Sequence, residues 1–103
     1  MSNFPLSPRA ESRLDEIYEY GLVQWGAERA DRYLDDLYEC FEQIARDEVW
    51  SAPIAAEFGV DGFYRRQGSH FVYWKRLSDG SVGIVTILHK RMHRMQRFKD
   101  DSA

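Results

Sequence analysis

Residues 82–98, VGIVTILHKRMHRMQRF, decide how the rest of the chain must be arranged. In an extended strand Val82, Ile84 and Leu88 fall on one face and Val85 and Ile87 on the other, so both faces require cover and the strand reads as a central one. Past Leu88 the apolar run stops. His89, Lys90, Arg91, His93, Arg94, Arg97 and Lys99 follow within eleven residues, with Met92, Met95 and Phe98 between them. Residues 90–103 therefore form a basic tail suited to contact with something outside the domain, and its methionines suit an adaptable contact surface.

Working back from that strand, residues 63–67 and 70–77 read as two more strands, separated by a turn at Gly68 and Ser69. Residues 78–81 (SDGS) make a tight turn of the Asp-Gly kind into the last strand, which completes an antiparallel meander over about 63–89. The middle strand carries Phe71, Val72, Tyr73 and Trp74 in succession, apolar on both sides. Helices laid on one face of such a sheet leave the other open, and an apolar open face calls for a further cover.

The helices precede the sheet. Ser7 is a good N-cap, because its hydroxyl can accept an orphan backbone N–H, and Pro8 at the first helical position loses nothing by lacking one. Ala10, Leu14, Ile17, Tyr18 and Gly21 recur at spacings of three and four up to about Gln24. Gly26 interrupts after Trp25, and a second stripe of Ala30, Leu34, Leu37, Phe41 and Ile44 predicts a helix over 27–46. Two amphipathic helices joined by a short turn bury their stripes against each other and one sheet face, giving a hairpin over about 8–46. Tyr18, Trp25, Tyr33 and Phe41 read as core on their helical spacing. Residues 49–59 read as a loop broken by Pro53 and anchored by Trp50, Ile54 and Phe58. Phe4 and Leu6 alternate with polar or proline positions, a short strand expected to join the sheet beside the last one.

These 103 residues, 44% hydrophobic and 15% aromatic, suit one domain with a single modest core. The predicted fold is α+β in two layers: an N-terminal strand, an α-helical hairpin and a three-stranded antiparallel meander. Cys40 is the only cysteine, which excludes an internal disulfide and a cysteine zinc framework; it reads as a small buried hydrophobe. No apolar stretch approaches the roughly 20 residues of a membrane helix, and no secretory leader opens the chain, so a cytoplasmic protein without membrane contact is expected. The net charge of −3 conceals a split. Residues 1–60 set five arginines against thirteen acids, and residues 61–103 set nine basic residues against four aspartates. The two halves thus offer faces of opposite sign, suited to different partners.

Four segments together resemble the ParE toxins of bacterial toxin–antitoxin modules, within the RelE/ParE superfamily. They are FPLSPRAESRLDEIYEY (4–20), WGAERADRYLDDLYECFEQIA (25–45), GSHFVYWK (68–75) and IVTILHKRMHRMQRF (84–98). The most specific pieces are Leu6-Ser7-Pro8 with Ala10, Trp25-Gly26, Gly68-Ser69-His70, and Leu88-His89 followed by Arg91-Met92. Departures stand at His93, Gly83 and Trp74, where relatives commonly carry an acidic or amide residue, a charged residue and tyrosine. The resemblance implies a toxin held inactive by a ParD-type antitoxin, which dimerises through a DNA-binding N-terminal domain and wraps the toxin with its C-terminal segment. It also implies a target, DNA gyrase, whose DNA cleavage complex the toxin traps without cutting RNA, and it implies no cofactor and no catalytic residue.

On that reading Arg65, Arg66, His89, Arg91, Met92 and Arg94 are the candidate gyrase contacts. Asp35, Asp36 and Glu39 on the acidic hairpin, with Tyr73 or Trp74 on the open sheet face, are the candidate antitoxin contacts. One alternative is a ribosome-dependent messenger endoribonuclease of the RelE kind, which needs a general base, a general acid and a cation for phosphorane charge. His70, His89 and His93 supply the first two, Arg65, Arg66 or Arg91 the third, and Tyr64 or Tyr73 could stack a base. Structural roles compete with it: a ring at His70 bonding nearby backbone, and one at His89 capping strand-end carbonyls. A second alternative is a non-toxic chain that only binds an antitoxin. His89 and His93, four apart, would suit zinc only in a helix, and nothing nearby completes the shell, so no metal is expected.

Overall fold

The computed structural model describes residues 5–54 and 61–92. Two helices, α1 (Pro8–Trp25) and α2 (Ala27–Ala45), lead into four strands, β1 (Ala52–Pro53), β2 (Phe63–Gln67), β3 (His70–Arg76) and β4 (Val82–His89), and a short 3-10 turn over Lys90–Met92. The strands form one antiparallel sheet in the order β1-β2-β3-β4. Leu6 adds a single parallel bridge to Ile84, so the N-terminal segment does join beside the last strand. The expected α+β architecture holds. It gains one strand, since Ala52 and Pro53 pair with Tyr64 and Phe63 within the stretch read as loop. Pro53 fits there because the outer side of an edge strand needs no N–H.

Gly26 alone links the helices. Its φ of 88° lets its N–H cap Leu22 O while its own carbonyl accepts from Ala30 N, so the chain reverses within one residue. Leu14, Leu37, Phe41 and Ile44 then bury against Val72, Trp74, Val82, Ile84 and Ile87 on the near face of the sheet. Ser7 caps α1 as expected, accepting Ala10 N–H at 3.0 Å.

The far face of the sheet is closed as well. Ile54, Tyr73, Val85 and Leu88 form a second buried cluster with Tyr64 and Phe71 against it. The expectation of an open face is therefore corrected: residue 54, held by an Ile54 N–H to Gly62 O bond, turns in over Tyr73. The facing of β4 is corrected too. Tyr73 pairs with Thr86 but Trp74 pairs with Ile84, so Val85 is an extra residue, a β-bulge that resets the alternation. Ile87 consequently joins Val82 and Ile84 under the helices, and Leu88 joins Val85 on the far side. Ser7 explains why the bulge is tolerated. Its N–H bonds Ile84 O at 3.0 Å and its hydroxyl donates to Val85 O at 2.6 Å, so the carbonyl that the bulge takes out of the ladder still has a partner.

Candidate functional site

The basic run begins where β4 ends, and three elements converge there. The β2–β3 hairpin turns through Gly68 and Ser69, with Gly68 at φ 60°, the positive φ that two-residue hairpins place at their first central position. Over this turn lies Tyr33 of α2. Its hydroxyl oxygen accepts Ser69 N–H at 3.1 Å and stands 3.1 Å from Gln67 O and 2.6 Å from His70 Nδ1. Ser69 O in turn accepts Lys90 N–H at 2.8 Å. His70 and His89 pair across the ladder with rings edge to face at 5.2 Å, and His89 Nδ1 accepts Arg91 N–H at 3.1 Å. A row of rings thus runs from Trp25 through Tyr33 and His70 to His89.

Electrostatics at this corner keep the rings neutral and leave the charge on Lys90 and Arg91. Burial, and secondarily the nearby His89, push His70 down to about 4, so it is uncharged at neutral pH. His89 is lowered by burial and then by the adjacent Arg91 and Lys90. Burial raises the Tyr33 phenol; the Ser69 N–H bond opposes that, and Asp36 adds to it. A buried, neutral histidine bonded to a phenol is poorly matched to proton transfer near pH 7. Its ring holds Tyr33 rather than backbone, and the His89 ring caps an N–H rather than a carbonyl, so both structural expectations are corrected in their partners.

The remaining candidates scatter. Arg91 is exposed at the strand end, the backbone of Met92 closes the same turn, and Arg94 and His93 lie outside the described residues. Arg65 and Arg66 are neighbours on β2 and so point to opposite faces. Arg66 is exposed, donates to Gly68 O at 3.0 Å and sits 5.9 Å from the Phe71 ring centre. Arg65 turns inward, donating to Trp50 O at 2.7 Å beside the buried Cys40 thiol, whose pKa burial raises and Arg65 partly restores. Arg65 therefore ties the post-helix loop to the sheet and is half-buried, where Arg66 is exposed.

Among the antitoxin candidates Asp35, Asp36 and Glu39 are exposed on α2, with Glu39 4.0 Å from Arg46. Tyr73 and Trp74 are corrected. They lie on opposite faces of β3 and are 0% and 6% exposed, Trp74 being stacked on Phe63 at 4.4 Å with its indole N–H on Ser51 Oγ. Trp25, read as core, is 41% exposed at the hairpin tip, edge-on to Tyr20 and covered by Arg29, because the one-residue link leaves it at the outer end of α1. Trp50 is exposed too, and Phe58 lies outside the described residues. Tyr33 is the residue sequence reasoning missed as a contact-maker. The signal was a phenol on an otherwise apolar stripe, since a buried tyrosine hydroxyl needs a partner. Among the described residues no three His, Cys, Asp or Glu side chains gather as a metal site, and no helix is long and apolar enough to cross a membrane.

This arrangement of a helical hairpin on an antiparallel sheet has known counterparts. Residues 5–94 match the family described as the ParE toxin of type II toxin–antitoxin system, parDE, and the chain belongs to that family. It is 33% identical over 95 residues to Toxin ParE1 of Caulobacter vibrioides, covering 90% of this chain and 94% of that one. It is 30% identical over 94 residues to Toxin ParE1 of Mycobacterium tuberculosis, covering 88% and 92%. The fold matches a chain of the chromosomal ParDE system from P. aeruginosa with a TM-score of 0.67 at 19% identity, covering 86% of this chain and 96% of that one.

Proposed function

We propose that this toxin inhibits DNA gyrase by trapping its DNA cleavage complex, and that a ParD-type antitoxin neutralises it by direct binding in the cytoplasm. The observation that carries the reading is the exposed cationic strand end, Lys90 and Arg91, on a chain of the ParE family whose net charge is negative. A cation held there can meet DNA phosphate or an acidic protein surface where the acidic helices cannot. Arg91 and Arg66 are the exposed contacts, Arg65 and His89 are half-buried, and Arg94 continues the same basic run in sequence. Inhibition without bond-breaking by the toxin accords with His70, which is neutral and engaged. The antitoxin meets the other half of the molecule, its basic side chains pairing with Asp35, Asp36 and Glu39 along α2.

Purified chain added to gyrase supercoiling and cleavage assays, with an RNA-cleavage assay beside them, tests this. Cleaved DNA should accumulate on gyrase while RNA stays whole. Charge reversal at Arg91 and Arg94 should abolish the trapping yet move stability by no more than about 0.5 kcal/mol, as surface changes do, with antitoxin affinity retained. RNA cleavage with gyrase unaffected would sink the reading.

A further inference from the structure

We infer that Tyr33 is the positioning residue for the basic turn: its hydroxyl, acting through the 68–69 hairpin turn and the His70–His89 ring pair, fixes where Lys90 and Arg91 stand. The inference rests on the reading above, in which that turn faces the target. Two ties leave the one phenol and reach successive residues. One runs through Ser69, whose N–H is held by Tyr33 at 3.1 Å and whose carbonyl holds Lys90 N–H at 2.8 Å. The other runs through His70, 2.6 Å from the phenol, to the edge-on His89 ring that accepts Arg91 N–H. Among the described residues the Lys90 bond is the last backbone tie between the basic run and the sheet, because the ladder ends at the His70–His89 pair.

An independent feature shows the turn shaped to admit the phenol. A Cβ on Gly68 would lie 2.9 Å from both Cε1 and the hydroxyl oxygen of Tyr33, and Gly68 has φ 60°. Any larger residue would strain the backbone and push Tyr33 off the turn. Trp25 meets the Tyr33 ring from the hairpin tip at 6.1 Å and His70 meets it from the sheet at 5.4 Å, so the ring is held between them. Packing alone would be served by phenylalanine. The hydroxyl is what reaches the turn.

Tyr33→Phe separates the two roles, because it keeps the ring and removes the ties. Amide hydrogen exchange of Lys90 and Arg91 should quicken by about tenfold, as for loss of a part-buried hydrogen bond, while core amides such as Leu37 and Ile87 stay within about twofold. The toxin concentration for half-maximal gyrase cleavage should rise in parallel, by roughly tenfold. A second variant, His70→Phe, keeps a ring against His89 but cannot bond the phenol; it should quicken Arg91 and leave Lys90 near the wild-type rate. Unchanged exchange at Lys90 and Arg91 in Tyr33→Phe would overturn the inference, as would a uniform rise across all amides, the mark of a merely destabilised fold. If the wild-type chain leaves gyrase untouched, the proposed target fails while the exchange measurement still decides the positioning role.

Discussion

Two hydroxyls fasten β4, that of Ser7 directly at its middle and that of Tyr33 indirectly at its end, and they differ in how far each reaches into the chain's other functions. In the middle of the strand Ser7 serves twice, capping α1 locally and taking the Val85 carbonyl that the bulge expels. At the finish Tyr33 fastens no helix end. It holds a hairpin turn and a histidine, and through them the basic residues that leave the sheet. One fastening sets the fold and the other sets the exposed surface. The contrast teaches that the same chemistry, a phenol or alcohol reaching a group that the ladder leaves over, stabilises the core in one place and orients charge in the other.

Three measurements sharpen or break that contrast. The largest effect should come from the layer both fastenings depend on: Leu37→Glu places a carboxylate at a fully buried site, and the loss of more than about 4 kcal/mol should abolish cooperative melting. A normal melt would mean that the α2 stripe is misassigned.

Next comes acid sensitivity at the Tyr33 end. His70 titrates at about 4 when folded against 6.5 as its ordinary value, so between those limits the unfolded chain binds a proton that the folded chain refuses. The share of stability that His70 sets should be full above pH 6.5, fall as pH drops, and level off below about 4, with a loss of about 3 kcal/mol from this group. His89, also lowered, acts in the same direction. Urea midpoints at pH 7, 5.5 and 4 measure this, and His70→Asn should flatten the slope; equal slopes in both proteins would break the assignment.

The smallest of the three is at Ser7. Ser7→Ala removes a cap worth about 1 kcal/mol and orphans the Val85 carbonyl, so about 2 kcal/mol should be lost. A thermal melt showing only the cap's share would mean that the bulge finds another donor.

Much of the fold was legible because its signals are local. The α1 and α2 stripes, the Ser7-Pro8 start, the Gly26 break and the turns at 68–69 and 78–81 each declare themselves within a few residues, and each stands where expected. Less of the site was legible. Period-two reasoning put Leu88 with Ile84, and one extra residue at Val85 exchanged the roles of Ile87 and Leu88. The same reasoning exposed Tyr73 or Trp74 to a partner, but residue 54 covers one and the helices cover the other. Arg65 looked like surface charge until the loop after α2 supplied a carbonyl for it.

The sequence by itself determined the helical hairpin, the meander, the acidic and basic halves and the family, because periodicity, caps, turn residues and short ordered motifs are written in neighbouring positions. Tertiary structure alone decided which way the last strand faces and what holds its basic end. Those outcomes turn on bonds between residues 78 apart, Ser7 and Val85, and 36 and 37 apart, Tyr33 with Ser69 and His70. No local pattern encodes such pairs, since a hydroxyl chooses its partner only after packing has brought an unsatisfied group within reach.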